Sequence, residues 1–163
     1  MSRPPVAAVR RALAGTMASA ALLSMAGCGN PADLVTGGHP VRDYCTQLHQ
    51  DRRAFADMIE SSSPTALVTH LPMLRDLAHD APPDIADDWQ QFVTPIEGLR
   101  RALQHAGVRP SQFHGGKPPA GLGPAQQRAI ATAADQISSR QTVEAASTID
   151  QEARDVCKIN LGM

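Results

Sequence analysis

The chain has 163 residues, 42% of them hydrophobic, and a formal charge of −1, which suits one domain with a single modest core and argues against a second. Removal of residues 1–27, which contain Arg3, Arg10 and Arg11 and no acid, takes that charge to −4. A mildly acidic surface excludes nucleic acid as a partner and gives no attraction to anionic headgroups, so any hold on a membrane must come from another source.

Residues 1–27 read as a cationic start, an apolar stretch from Ala12 to Met25 and a small pair, Ala26-Gly27. That is the plan of a secretory signal that is cut away. The apolar stretch is too short and too rich in alanine for a permanent span, which needs about 20 strongly apolar residues. The segment Leu23-Ser24-Met25-Ala26-Gly27-Cys28 resembles the lipobox of bacterial lipoproteins, with Met25 where leucine is usual. The resemblance implies cleavage before Cys28 and a diacylglyceryl thioether on its sulfur. Two acyl chains suffice for stable anchoring, here to the outer face of the cytoplasmic membrane. The competing reading is an ordinary secreted protein cut after Ser24-Met25-Ala26, itself a small-x-small site. Arg10-Arg11 ahead of a weakly apolar run also resembles a twin-arginine export signal, without the fuller consensus around the pair.

Residues 28–40 hold Gly, Pro, Asn, Asp and Thr with no apolar period and read as a flexible tether, with an r.m.s. reach of roughly 20 Å for a coil of that length. The bundle domain then occupies residues 41–163. A first helix is expected from Val41 to Glu60, with Val41, Cys45, Leu48, Phe55 and Ile59 on its buried face and Arg52 and Arg53 lying over the edge. Ser61-Ser62-Ser63-Pro64 closes it and starts a second, Pro64 to His79, which Pro72 must kink or split. His79-Asp80 resembles the HD pair of metal phosphohydrolases, but the further ligands such a site needs cannot be assembled, and a histidine there suits the helix dipole.

Beyond the rigid turn Asp80-Ala81-Pro82-Pro83 lies the strongest helical pattern: Ile85, Trp89, Phe92, Val93, Ile96, Leu99 and Leu103 on one stripe, running to Gln104. Acids open it, Arg100 and Arg101 close it, and Pro95 should bend it on the solvent side. Trp89 is assigned to the core. Residues 106–123 are rich in Gly and Pro and read as a long loop, with Phe113, His114 and Lys117 as a candidate partner contact. The alternative is a plain crossing with Phe113 tucked into the core. A fourth helix starts at Pro124 and carries Ile130, Ala133, Ala134 and Ile137. A phase break follows, with Ser138 and Gln141 at capping-box spacing. The fifth runs from Arg140 to Lys158, with Val143, Ala146, Ile149, Ala153 and Val156 on its buried stripe and Cys157 in its last turn.

With Cys28 taken by lipid, Cys45 and Cys157 are left as a pair in an oxidising compartment, and a disulfide is expected. Free thiols serving as metal ligands or as a nucleophile would want closer spacing and a third group. The fold class that follows is all-α: an up-and-down bundle of four to five helices, with the disulfide joining first and last helices at one end. Asp43-Tyr44-Cys45, Ala81-Pro82-Pro83 with Asp87-Asp88-Trp89, residues 115–122 and Asp155-Val156-Cys157-Lys158 together resemble a group of small exported actinobacterial proteins. That resemblance implies an exported helical domain with paired cysteines and brings no activity with it.

No serine elbow, cysteine–histidine pair, phosphate loop or spaced metal set is visible, so no catalytic residue, metal or cofactor is expected. The leading expectation is a lipid-anchored, non-catalytic binding or interaction module of the cell envelope. It has two rivals. One is a carrier of a small apolar ligand or lipid between helices. The other is an enzyme whose groups meet only in three dimensions, with His49, His70, His79 and His105 to inspect.

Overall fold

Proline and serine set most of the helix boundaries. The computed structural model describes residues 40–61, 63–113 and 117–163; the signal segment, Cys28, residues 29–39 of the tether and His114 lie outside the described residues. Helix α1 spans Pro40–Ser61, α2 Pro64–Thr69, α3 Leu71–Asp80, α4 Ala86–His105, α5 Pro124–Ile137 and α6 Arg140–Asp155, with one 3₁₀ turn at Pro110–Gln112. Among the described residues the chain forms six helices and no strand.

Pro64 and Pro124 stand at first helical positions, where the missing N–H would have had no partner. Ser63 caps α2 by accepting from the Thr65 N–H. The expected second helix is two. The ladder runs up to His70 N–H on the Ala66 carbonyl and resumes with Leu74 N–H on the His70 carbonyl. Between them Pro72 has no N–H to give, and His70 takes φ −92° and ψ 4°. At the last break the cap is Ser139, not Ser138: its Oγ accepts from the Thr142 N–H.

Helix α4 packs on α2, α3, α5 and α6, while α1 packs on α2 and α3. The chain therefore makes four passes, of which the second (α2 and α3) and the fourth (α5 and α6) are each interrupted once. Arg75 of α3 pairs with Glu97 of α4 at 2.7 Å. That hydrogen bond and the nearby guanidinium hold the Glu97 carboxyl below its usual range.

Trp89 is fully buried, donates its indole N–H to the Tyr44 hydroxyl at 2.9 Å, and meets Tyr44 and Phe92 edge-on at 6.4 and 6.1 Å. The buried face of α1 is consequently Tyr44, Leu48, Phe55 and Met58. Val41 and Ile59, expected inside, are 40% and 42% exposed. A ring with a bonded hydroxyl displaces the aliphatic stripe beside it.

The disulfide joins the first and last helices: Cys45 bonds Cys157 with Cα atoms 5.1 Å apart. Cys157 lies just beyond α6 and not in its last turn, because Lys158 adopts φ 58° and the Ile159 N–H reaches back to the Ala153 carbonyl. Residues beyond that reversal return to the core and bury Ile159 and Leu161. Asp150, itself buried, accepts from the Leu161 and Gly162 N–H groups at 2.9 and 3.2 Å and from Arg154. Val143 of α6 and Val156 just past its end, both expected inside, are exposed, and Thr142, Ala145, Ile149, Asp150 and Ala153 face in.

Candidate functional groove

One feature of the surface is apolar beyond the needs of the core. The last turns of α1, the start of α2, the end of α5 and the first half of α6 border a groove of about 520 Å³. Phe55, Met58 and Phe92 form its floor, Leu67, Ile137 and Ala146 its walls, and Met163 closes one side. Ile59 and Val143 stand at its edges, 42% and 57% exposed.

The groove owes its width to the helices around it. α1 carries two adjacent apolar stripes, and the core takes only the one containing Tyr44, Leu48 and Phe55. Across from it, α6 turns Thr142 and Ala145 inward and leaves Val143 and Ala146 beside the opening. Both sides thus keep aliphatic surface that their own bundle does not cover. Gly162, at φ 77°, brings the terminal segment against α1; a Cβ there would lie 3.1 Å from Cδ1 of Ile59.

Among the described residues no ionisable side chain lines the groove. Its polar groups are Ser63, Thr142 and Ser147, and two of these are engaged. Ser63 Oγ pairs with Thr65 Oγ1 at 2.8 Å, and Thr142 Oγ1 donates to the Gln136 carbonyl at 3.0 Å. Through its described side chains the site offers desolvation and dispersion, with no charged side chain and no base beside a hydroxyl. Met58 and Met163 add unbranched, polarisable surface that adapts to the shape of an occupant.

The sequence-derived candidates lie elsewhere. Phe113 is half-buried and packs against the core, and Lys117 is exposed. The 3₁₀ turn just ahead of Phe113 packs on α2. His49 donates from Nε2 to the Cys157 carbonyl at 3.1 Å; His70 joins α2 to α3, and His79 and His105 end α3 and α4. Among the described residues no group of three or more His, Cys, Asp or Glu is placed to hold a metal ion. No helix among them is long and apolar enough to cross a membrane.

Two acidic places have shifted carboxyls. In a cleft between α1 and α3 burial and Asp76 raise Asp51, and near the disulfide burial, Asp84 and Asp155 raise Glu152. Neither faces the groove. The groove itself escaped sequence reasoning, although a signal existed: Ile59 and Val143 extend the apolar arcs of α1 and α6 past what a half-buried helix needs. Comparison with protein-family models, with curated proteins and with solved structures finds no match to this chain.

Proposed function

We propose that this protein is a lipoprotein held on the outer face of the cytoplasmic membrane by acyl chains on Cys28, and that its bundle is a non-catalytic binding module whose groove receives an uncharged aliphatic group. The observation that carries the binding role is the groove of about 520 Å³ whose described residues include no ionisable side chain. That volume falls in the range of about 300–1,000 Å³ typical of sites for one small ligand. Because the groove is open along one side, an occupant enters it from the surface without opening the core. The anchor rests on the lipobox resemblance ending at Cys28.

The binding role is tested on the Cys28→Ser protein, which has no thiol to acylate, by titration with dodecanol. Trp89, the single tryptophan, meets Phe92 of the groove floor edge-on, so its fluorescence reports occupancy. A saturable change that Ala146→Arg abolishes is expected. A flat titration would remove the binding role. The anchor is tested by the intact mass of the wild-type protein extracted from membranes, which should show cleavage before Cys28 and added acyl chains.

A further inference from the structure

The occupant of the groove can be specified from the chain's own length. Resting on the lipoprotein reading above, we infer that the groove shelters one of the two acyl chains carried by Cys28 of the same molecule, so that the protein holds its membrane reversibly.

Reach permits it. Phe55 to Ile59 lie 15 to 19 residues along α1 from Pro40, which at 1.5 Å per residue is about 22–28 Å. Cys28 lies twelve positions before Pro40, a span that extends to at most about 40 Å. The thioether can therefore come to the groove mouth without disturbing α1.

Chemistry and size agree with reach. An acyl chain is uncharged and aliphatic, and the described lining has no ionisable side chain and carries Met58 and Met163, which accommodate a flexible occupant. A volume of about 520 Å³ suits one such chain and not two. Local concentration also favours the tethered chain over a free ligand, because linkage over so short a span makes the event intramolecular, at an effective concentration in the millimolar range.

The consequence follows from the arithmetic of lipid anchors. Two chains hold a protein stably, whereas a single chain gives marginal and reversible attachment. With one chain withdrawn into the groove, the other alone remains in the bilayer. The molecule then leaves one surface and enters another, and the groove is what makes the transfer possible.

The test uses full-length lipidated protein, its diacylglyceryl form confirmed by intact mass, moved from donor to acceptor vesicles of phosphatidylcholine. Two variants remove sheltering by different routes. Ala146→Trp fills the groove. Val143→Glu, at a position 57% exposed and so tolerant of a polar side chain, sets a charge at the groove edge. Transfer slower by about ten-fold or more in both variants is expected, whereas Val156→Glu, the same change at an exposed valine outside the groove, keeps the wild-type rate. An unchanged urea midpoint in Val143→Glu separates lost sheltering from any folding defect of the tryptophan variant. Lipidated wild-type protein that transfers no faster than both groove variants would overturn the inference while leaving dodecanol binding, and with it the binding role, in place. A mass without acyl chains would overturn both the anchor and the inference.

Discussion

Tyr44 is a polar side chain placed where α1 needs bulk, and its ionisation reports the integrity of the core. Burial, with Glu152 and Asp84 adding to it and the Trp89 hydrogen bond opposing, pushes its pKa up from 10.0 to about 12. A raised pKa means that the folded state resists forming the phenolate. The corresponding stability is complete below pH 10 and is lost as pH rises from about 10 through 12, and over the full window it amounts to roughly 2 to 3 kcal/mol. Denaturant midpoints across that window should fall, and since Tyr44 is the single tyrosine, its absorbance titration reads the same event without assignment. Tyr44→Phe should flatten the alkaline slope. At neutral pH it should cost about 1–3 kcal/mol, because the buried indole N–H of Trp89 loses its acceptor. Asp150 is the second such residue. Asp150→Ala removes the acceptor of two backbone N–H groups and the partner of Arg154, and should lower stability by about 3 kcal/mol, read as a shift in urea midpoint at constant slope; Asp150→Asn should lose about half as much. Neither burial was legible in the sequence, because apolar spacing alone gives a tyrosine or an aspartate no inward place. Trp89 was legible, because its neighbours on α4 repeat in phase on both sides of it.

At the scale of elements, the residues that start helices were the most readable part of the chain. Pro64, Pro124 and the serines near residue 139 act through their own backbone, so their meaning does not depend on tertiary context. Ser139→Ala should accordingly cost about 1 kcal/mol, seen as a modest drop in thermal midpoint. Which face of a helix goes inward depends on its neighbours, and there the aliphatic count misled for α1 and α6. The end of α6 depended on a reversal at Lys158, a residue without the usual glycine signature of such turns. The cysteine pairing was readable because two cysteines remained once Cys28 was set aside. Its closure spans a sequence separation of 112, for which the chain-entropy model gives about 4 to 5 kcal/mol. Against a typical net stability of about 5–15 kcal/mol, that loss brings the reduced protein close to the threshold of folding. Cys45→Ser should lower the urea midpoint by a corresponding amount, and wild-type protein under reductant should match it. Equal midpoints for oxidised and reduced protein would deny the disulfide a stabilising role.

For the whole molecule, the arrangement around α4 makes stability uneven. This helix touches both interrupted passes and buries six large side chains, so its amides open only with the entire bundle. Of α4, α5 and α6, α5 fully buries the fewest side chains, Ile130 alone, so of the three it loses the least apolar burial by opening locally. Hydrogen exchange should rank α4 slowest, α6 next through its buried Ile149 and its link to the disulfide, and α5 fastest of the three. That gradient bears on the groove, because Ile137 at the end of α5 and Val143 and Ala146 at the start of α6 border it while Phe92 of α4 lies beneath. An aliphatic occupant bridges the less stable wall to the stable floor, and whatever binds the closed form suppresses opening in proportion to its occupancy. With dodecanol at 100 times its dissociation constant, exchange of the amides in the last turn of α5 and the first turns of α6 should slow by about 100-fold, while those of α1's first turns, remote from the groove, keep their rates. Uniform slowing along the chain would mean that the ligand acts on global unfolding alone. Slowing confined to the residues beside Ile137 and Val143 would tie binding to the wall that moves, and would make α5 the element through which an occupant enters and leaves.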